Sequence, residues 1–199
     1  MAKSAAAAAG AGFMTPVPIK DILPINVGLS PAQEATMISI LGAPSTPLTT
    51  KCQNGKASAK VNDLLETRKI SSVFRLSGIR PALDSVQKVL KDVFATNPGL
   101  ESVLSTEGML CVRRRKPTSG AVSKKLSNHS WGTAVDFKIV GFDAPANTGK
   151  NVPKFIALMI PLFNKEGWLS GIAFQDSMHF EVADETIRQW SKDGKLDAA

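Results

Sequence analysis

Ser127-Asn128-His129-Ser130-Trp131-Gly132-Thr133-Ala134-Val135-Asp136 decides the reading, together with a distant partner, Asp176-Ser177-Met178-His179-Phe180-Glu181. The chain has 2 histidines, and each lies in one of these segments. Residues 133–139 alternate well enough for a strand with Asp136 on one face, and 178–182 reads as a second strand carrying His179. The seven-residue step from His129 to Asp136 is too long for one face of a helix. It suits a loop followed by a strand, with the chain bending at Gly132, where glycine adopts a backbone conformation that other residues resist. A structural zinc is usually closed by four protein ligands, whereas a catalytic one commonly has three and a position for water. His129, Asp136 and His179 fit the second pattern as ligands, with Asp176 beside them as a candidate base.

Working outward, 199 residues favour one domain. Such a chain buries about 70% of the surface its unfolded form exposes, so it needs no disulfide to fold. Cys52 and Cys111 are too few and too far apart for a disulfide framework or a zinc ribbon. They read equally as a pair in an oxidising compartment or as two small buried hydrophobes. No apolar run is long enough to span a membrane. The formal charge of +7 points to an anionic partner without choosing among them. Basic residues are dispersed apart from Arg113-Arg114-Arg115-Lys116, and Tyr is absent, so no base-stacking platform is evident and nucleic acid is disfavoured.

Residues 1–28 carry Pro16, Pro18 and Pro24 and read as a flexible tail; the alanine-rich start makes a weak signal peptide. The domain is expected over 29–199. Ser30, Pro31 and Gln33 predict the start of a packing helix over about 30–42, ended by Gly42 and Pro44. Residues 61–77 are ambiguous, with a short strand over 73–76. Leu83, Val86, Leu90, Val93 and Phe94 recur at helical spacing after Pro81, up to Asn97-Pro98-Gly99. A short helix is expected at 100–104 and a strand at 109–113. Residues 152–165 predict a buried helix bent at Pro161. A strand is expected at 172–174, and Asp184 is expected to cap a last helix through Trp190. The order predicts an α+β fold: a small, mostly antiparallel sheet with packed helices in a single domain.

Ser127-x-His129-x-x-Gly132-x-Ala134-x-Asp136 followed by Asp176-x-x-His179-Phe180 resembles the signature of the bacterial zinc D-alanyl-D-alanine carboxypeptidase and L-alanyl-D-glutamate endopeptidase family. That family includes VanY-type carboxypeptidases and phage endolysins. The resemblance covers residues 78–182, and more weakly the helix at 30–42. It implies a zinc peptidase acting on peptidoglycan stem peptides, with Zn2+ held by His129, Asp136 and His179 and with Asp176 as base. It also implies an arginine upstream of the first ligand that meets substrate carboxylate or oxyanion. Arg113 is chosen for this role, although three adjacent arginines leave the choice among Arg113, Arg114 and Arg115 open. Ser127 and Glu181 are expected to orient ligands or brace strands, Trp131 and Trp168 to wall the cleft, with core packing preferred for Trp168, and Glu166 is a less favoured base. The competing reading is a non-catalytic zinc-containing binding module on the same fold. The expected place of action is the periplasm or cell wall.

The basic charge supplies a test of its own. If attraction to acidic wall polymer delivers the protein, its binding to purified walls in a sedimentation assay falls as salt is raised; salt-independent binding contradicts this.

Overall fold

A computed structural model describes residues 8–116, 123–143 and 149–197. Its centre is a four-stranded antiparallel sheet in the order β4-β5-β8-β7, formed by β4 (Leu104–Gly108), β5 (Ala134–Ile139), β7 (Trp168–Ser170) and β8 (His179–Val182). Two small antiparallel pairs flank it: β1 (Pro16–Pro18) with β6 (Asn151–Pro153), and β2 (Leu65–Lys69) with β3 (Arg75–Ile79). The α+β class with antiparallel pairing expected from the sequence is what the chain forms.

Alternation along β5 and β8 divides the sheet into two faces. Val135, Phe137, Ile139, Phe180 and Val182 are buried in the core. Phe180 stacks on Phe163 with centroids 4.3 Å apart, and Phe137 and Trp168 meet the same cluster edge-on. Phe163 belongs to α5 (Lys154–Lys165), which packs against α3 (Arg80–Thr96). In α3 the periodic Leu83, Val86, Leu90 and Val93 are fully covered. Each such side chain contributes about 1.5–3 kcal/mol on burial, so this helix anchors the sheet. Pro161 lies within α5 on its exposed side, where a missing backbone donor costs least.

Several expectations are corrected. The first packing helix, α1, runs Glu34–Leu41 rather than from Ser30. Pro31 is held in a bridge to Ala183 instead. The free backbone N–H groups before it donate to carboxylates of another helix: Ser30 to Glu185 (2.9 Å) and Gln33 to Asp184 (3.1 Å). Asp184 is the first residue of α6 (Asp184–Lys192) rather than its cap, which is Ala183, and its carboxylate serves the start of α1 instead. Residues 61–77 resolve into the end of α2 (Ala59–Leu64) and the β2–β3 hairpin. The helix expected at 100–104 is α4 (Pro98–Glu101), and Leu104 already belongs to β4.

Residues 109–113 are extended but form no ladder, because their backbone bonds go to different neighbours: Leu110 to Ser77, Cys111 to His129, and Gln53 to Val112. Residues 171–174 form a 3-10 turn rather than a strand, and the strand lies just before it as β7.

The tail expected over 1–28 is corrected for residues 12–28; residues 1–7 lie outside the described residues. β1 pairs with β6, and Phe13, Met14, Ile19, Ile22 and Ile25 pack on the core. Asn26 joins the edge of the sheet, its Oδ1 accepting from Ser170 N–H and its Nδ2 donating to Ser170 carbonyl.

Cys52 and Cys111 form a disulfide across a sequence separation of 59. By loop entropy this closure stabilises the fold by about 4 kcal/mol. The Cys52→Ser/Cys111→Ser protein should therefore unfold at lower denaturant by that amount, as measured by equilibrium unfolding. Equal midpoints contradict it.

Candidate metal centre

Strands β5 and β8 set Asp136 directly opposite His179, on the face turned away from the phenylalanine cluster. The third donor arrives from the 3-10 turn Asn128–Trp131, which ends at Gly132 in the left-handed conformation, φ 62°. A Cβ at Gly132 would lie 3.0 Å from the Cα of Gly78, so both backbone conformation and space demand glycine. The ligand-capable atoms of His129, Asp136 and His179 all lie within 4.8 Å of one another.

Hydrogen bonds on the outer edges of the rings decide which atoms face inward. His129 Nδ1–H donates to the Met109 carbonyl at 2.8 Å. Its Nε2 is buried, makes no hydrogen bond, and stands 3.3 Å from Asp136 Oδ1. His179 donates on both sides, from Nδ1 to the same Asp136 Oδ1 at 2.8 Å and from Nε2 to Glu181 Oε2 at 3.1 Å. Burial pulls the His179 pKa down, but the two carboxylates outweigh it and hold it at about 10. Burial raises the Asp136 carboxyl, and the two imidazoles overcome this to keep it well below the carboxylate range.

A buried imidazole nitrogen without a hydrogen bond, set beside a carboxylate oxygen, calls for a positive charge near both. The His179 Nδ1 proton supplies one such charge, and a divalent cation held by His129 Nε2, Asp136 Oδ1 and His179 Nδ1 would replace it. Two imidazole nitrogens and one carboxylate oxygen are a donor set suited to zinc with a position left for water. Glu181 meets the far nitrogen of His179, as carboxylates commonly do behind a metal-bound histidine.

Asp176 is held next to the start of β8 by a tight turn. Its N–H donates to the Gly171 carbonyl and its carbonyl accepts from His179 N–H. A Cβ at Gly171 would lie 2.3 Å from the Asp176 carbonyl oxygen, so only glycine permits the approach. Burial pushes the Asp176 carboxyl pKa up, with smaller contributions from His179, Asp136, His129 and Arg113. Arg113 is half-buried, its pKa lowered by burial and supported by the charges of Asp136 and Asp176. Its backbone is clamped by Ser130, whose hydroxyl accepts from Arg113 N–H (3.1 Å) and donates to Arg113 carbonyl (3.0 Å). Arg114 is bonded to the Leu48 and Lys124 carbonyls, and Arg115 to that of Leu126. Of the three, Arg113 is the one whose charge acts on Asp136 and Asp176.

Residues 121–182 match the D-alanyl-D-alanine carboxypeptidase family. The resemblance carried by the two-part motif therefore holds for this segment, which contains His129, Asp136, Asp176 and His179. At family level the match supports a peptidase; Arg113 lies outside it. A comparison with curated proteins finds no match.

Other expectations around the family segment change. Trp131 does not wall a cleft: it is fully buried and donates from Nε1 to the Gly42 carbonyl. Trp168 lies in the core, the place preferred for it from the sequence, and is bonded to Ser85. Glu166 is paired with Lys88 at 2.7 Å and stands outside the three-residue cluster. Sequence reasoning missed the Met109 carbonyl, Ser130 and Phe174, whose half-exposed ring meets His179 edge-on at 5.7 Å.

The raised His179 pKa fixes the sign of two pH effects. A metal must displace the Nδ1 proton, so affinity rises with pH below about 10 and metal uptake near neutrality releases a proton. The metal-free fold gains stability from His179 below its ordinary 6.5 and loses it as pH rises toward about 10. Calorimetry of zinc binding in buffers of different ionisation enthalpy measures the release; uptake without protons contradicts the assignment.

Proposed function

We propose that the protein is a zinc peptidase that hydrolyses peptide bonds in the stem peptides of bacterial peptidoglycan. The observation that supports it most is the convergence of His129 Nε2, Asp136 Oδ1 and His179 Nδ1 beside a carboxyl whose pKa is raised, within a segment matching a carboxypeptidase family. Zinc, when bound, lowers the pKa of a coordinated water to about 7 and polarises a carbonyl.

The remaining work falls to the chain itself. Asp176, raised by burial toward the working range of a base, accepts the proton of the attacking water and returns it to the leaving amine. Arg113 sets a fixed positive charge near Asp176 and Asp136, where a substrate carboxylate or the developing oxyanion is stabilised. Burial around the donors weakens solvent screening, so each of these charges acts more strongly than it would in water. Within this reading the activity is that of an L-alanyl-D-glutamate endopeptidase or a D-alanyl-D-alanine carboxypeptidase, exerted in the periplasm or cell wall.

Purified peptidoglycan incubated with the protein should release peptide fragments, identified by mass, and a chelator should stop their release. Asp176→Ala should keep zinc and lose about 10²–10⁴-fold in turnover. Zinc binding without any fragments contradicts the peptidase and favours the binding module. Chelator-insensitive cutting contradicts the metal's role.

A further inference from the structure

We propose that Asn128 and Glu181 form a positioning pair that ties the two ligand-bearing segments together, with Asn128 acting on His179 through Glu181. The inference rests on the zinc reading of the site. Asn128 immediately precedes His129 in the 3-10 turn Asn128–Trp131. Its Nδ2–H reaches across to β8 and donates to Glu181 Oε2 at 2.7 Å. The same oxygen accepts from His179 Nε2–H at 3.1 Å. Asn128, Glu181 and His179 are buried, at 3%, 4% and 7% exposure, so water cannot readily substitute for a lost partner.

The rest of the geometry makes this crosspiece rigid. The Asn128 carbonyl accepts from Thr133 Oγ1–H at 3.1 Å, which fixes the turn against the start of β5. Glu181 stands opposite Ala134 in the β5–β8 register, where a methyl group leaves room for its side chain. The carboxylate is a positioning group rather than a ligand: it lies outside the His129, Asp136, His179 cluster and touches the nitrogen of His179 that faces away from it.

The consequence for His179 follows from its donors. An acceptor fixed at Nε2 holds the ring in the orientation that turns Nδ1 toward Asp136. Glutamine at 181 presents an amide in its place. An amide donor facing Nε2 loses the bond that orients the ring, and Nδ1 is held less firmly toward Asp136. Asn128→Ala leaves the carboxylate in place but frees it to turn, so its effect has the same sign and a smaller size.

The test measures zinc affinity by competition with a chromophoric chelator, and the visible spectrum of cobalt(II)-loaded protein, for wild type, Glu181→Gln and Asn128→Ala. Glu181→Gln should bind zinc about 10- to 100-fold more weakly. Asn128→Ala should show a smaller loss, and both should shift the cobalt spectrum at saturation. Melting of the metal-free proteins identifies any variant that has not folded, and Asn128→Ala carries the test if Glu181→Gln fails. Wild-type affinity and an unchanged spectrum in the folded variants overturn the inference. A loss confined to Glu181→Gln removes Asn128 from it. Both readouts are taken without substrate, so failure of the peptidase reading does not disturb them.

Discussion

A single carboxylate oxygen, Asp136 Oδ1, stands between two buried imidazoles, and the structure around it depends on that arrangement. One ring faces it with a proton and the other with a buried nitrogen that makes no hydrogen bond. An unpartnered buried polar atom costs about 1–3 kcal/mol, and a buried carboxylate more without compensating charge. The fold tolerates this because each outer edge is fixed, His129 by the Met109 carbonyl and His179 by Glu181. Electrostatic need and geometry converge on one point, and a divalent cation satisfies both.

The sheet translates that local demand into topology. Antiparallel pairing of β5 with β8 puts Asp136 and His179 opposite each other without a long loop, while the alternate residues of the same strands fill the aromatic core. Anchoring one face in close-packed Phe163, Phe180 and Phe137 gives the donors a support that resists adjustment. The turn at Gly132 and the contact at Gly171 bring backbone where a side chain would block it. The disulfide secures the 109–113 segment, which supplies both the His129 acceptor and Arg113.

What the sequence disclosed was the chemistry carried by short segments. Ser127 to Asp136 and Asp176 to Phe180 each hold their residues at fixed local spacing, so donor types and the bend at Gly132 could be read directly. The helical period after Pro81 was legible because its apolar residues face one core. The long-range arrangements were not. Pro16 and Pro18 look like part of a flexible tail until β6 is seen beside them. The apolar run at 109–113 has strand composition, but its partners are scattered over several elements. Residues 172–174 share that composition, yet the approach of Asp176 to Gly171 curls them into a 3-10 turn. A backbone carbonyl such as Met109's has no side-chain signature. Trp131, placed by sequence near a cleft, is buried in the core with its indole N–H donating to the Gly42 carbonyl.

The most direct measurement is anomalous scattering at the zinc edge from a crystal grown with zinc. The account requires one strong peak bonded to His129 Nε2, Asp136 Oδ1 and His179 Nδ1, with a solvent oxygen completing the coordination. A zinc-loaded crystal with no peak there, or with a fourth protein side chain closing the sphere, contradicts it.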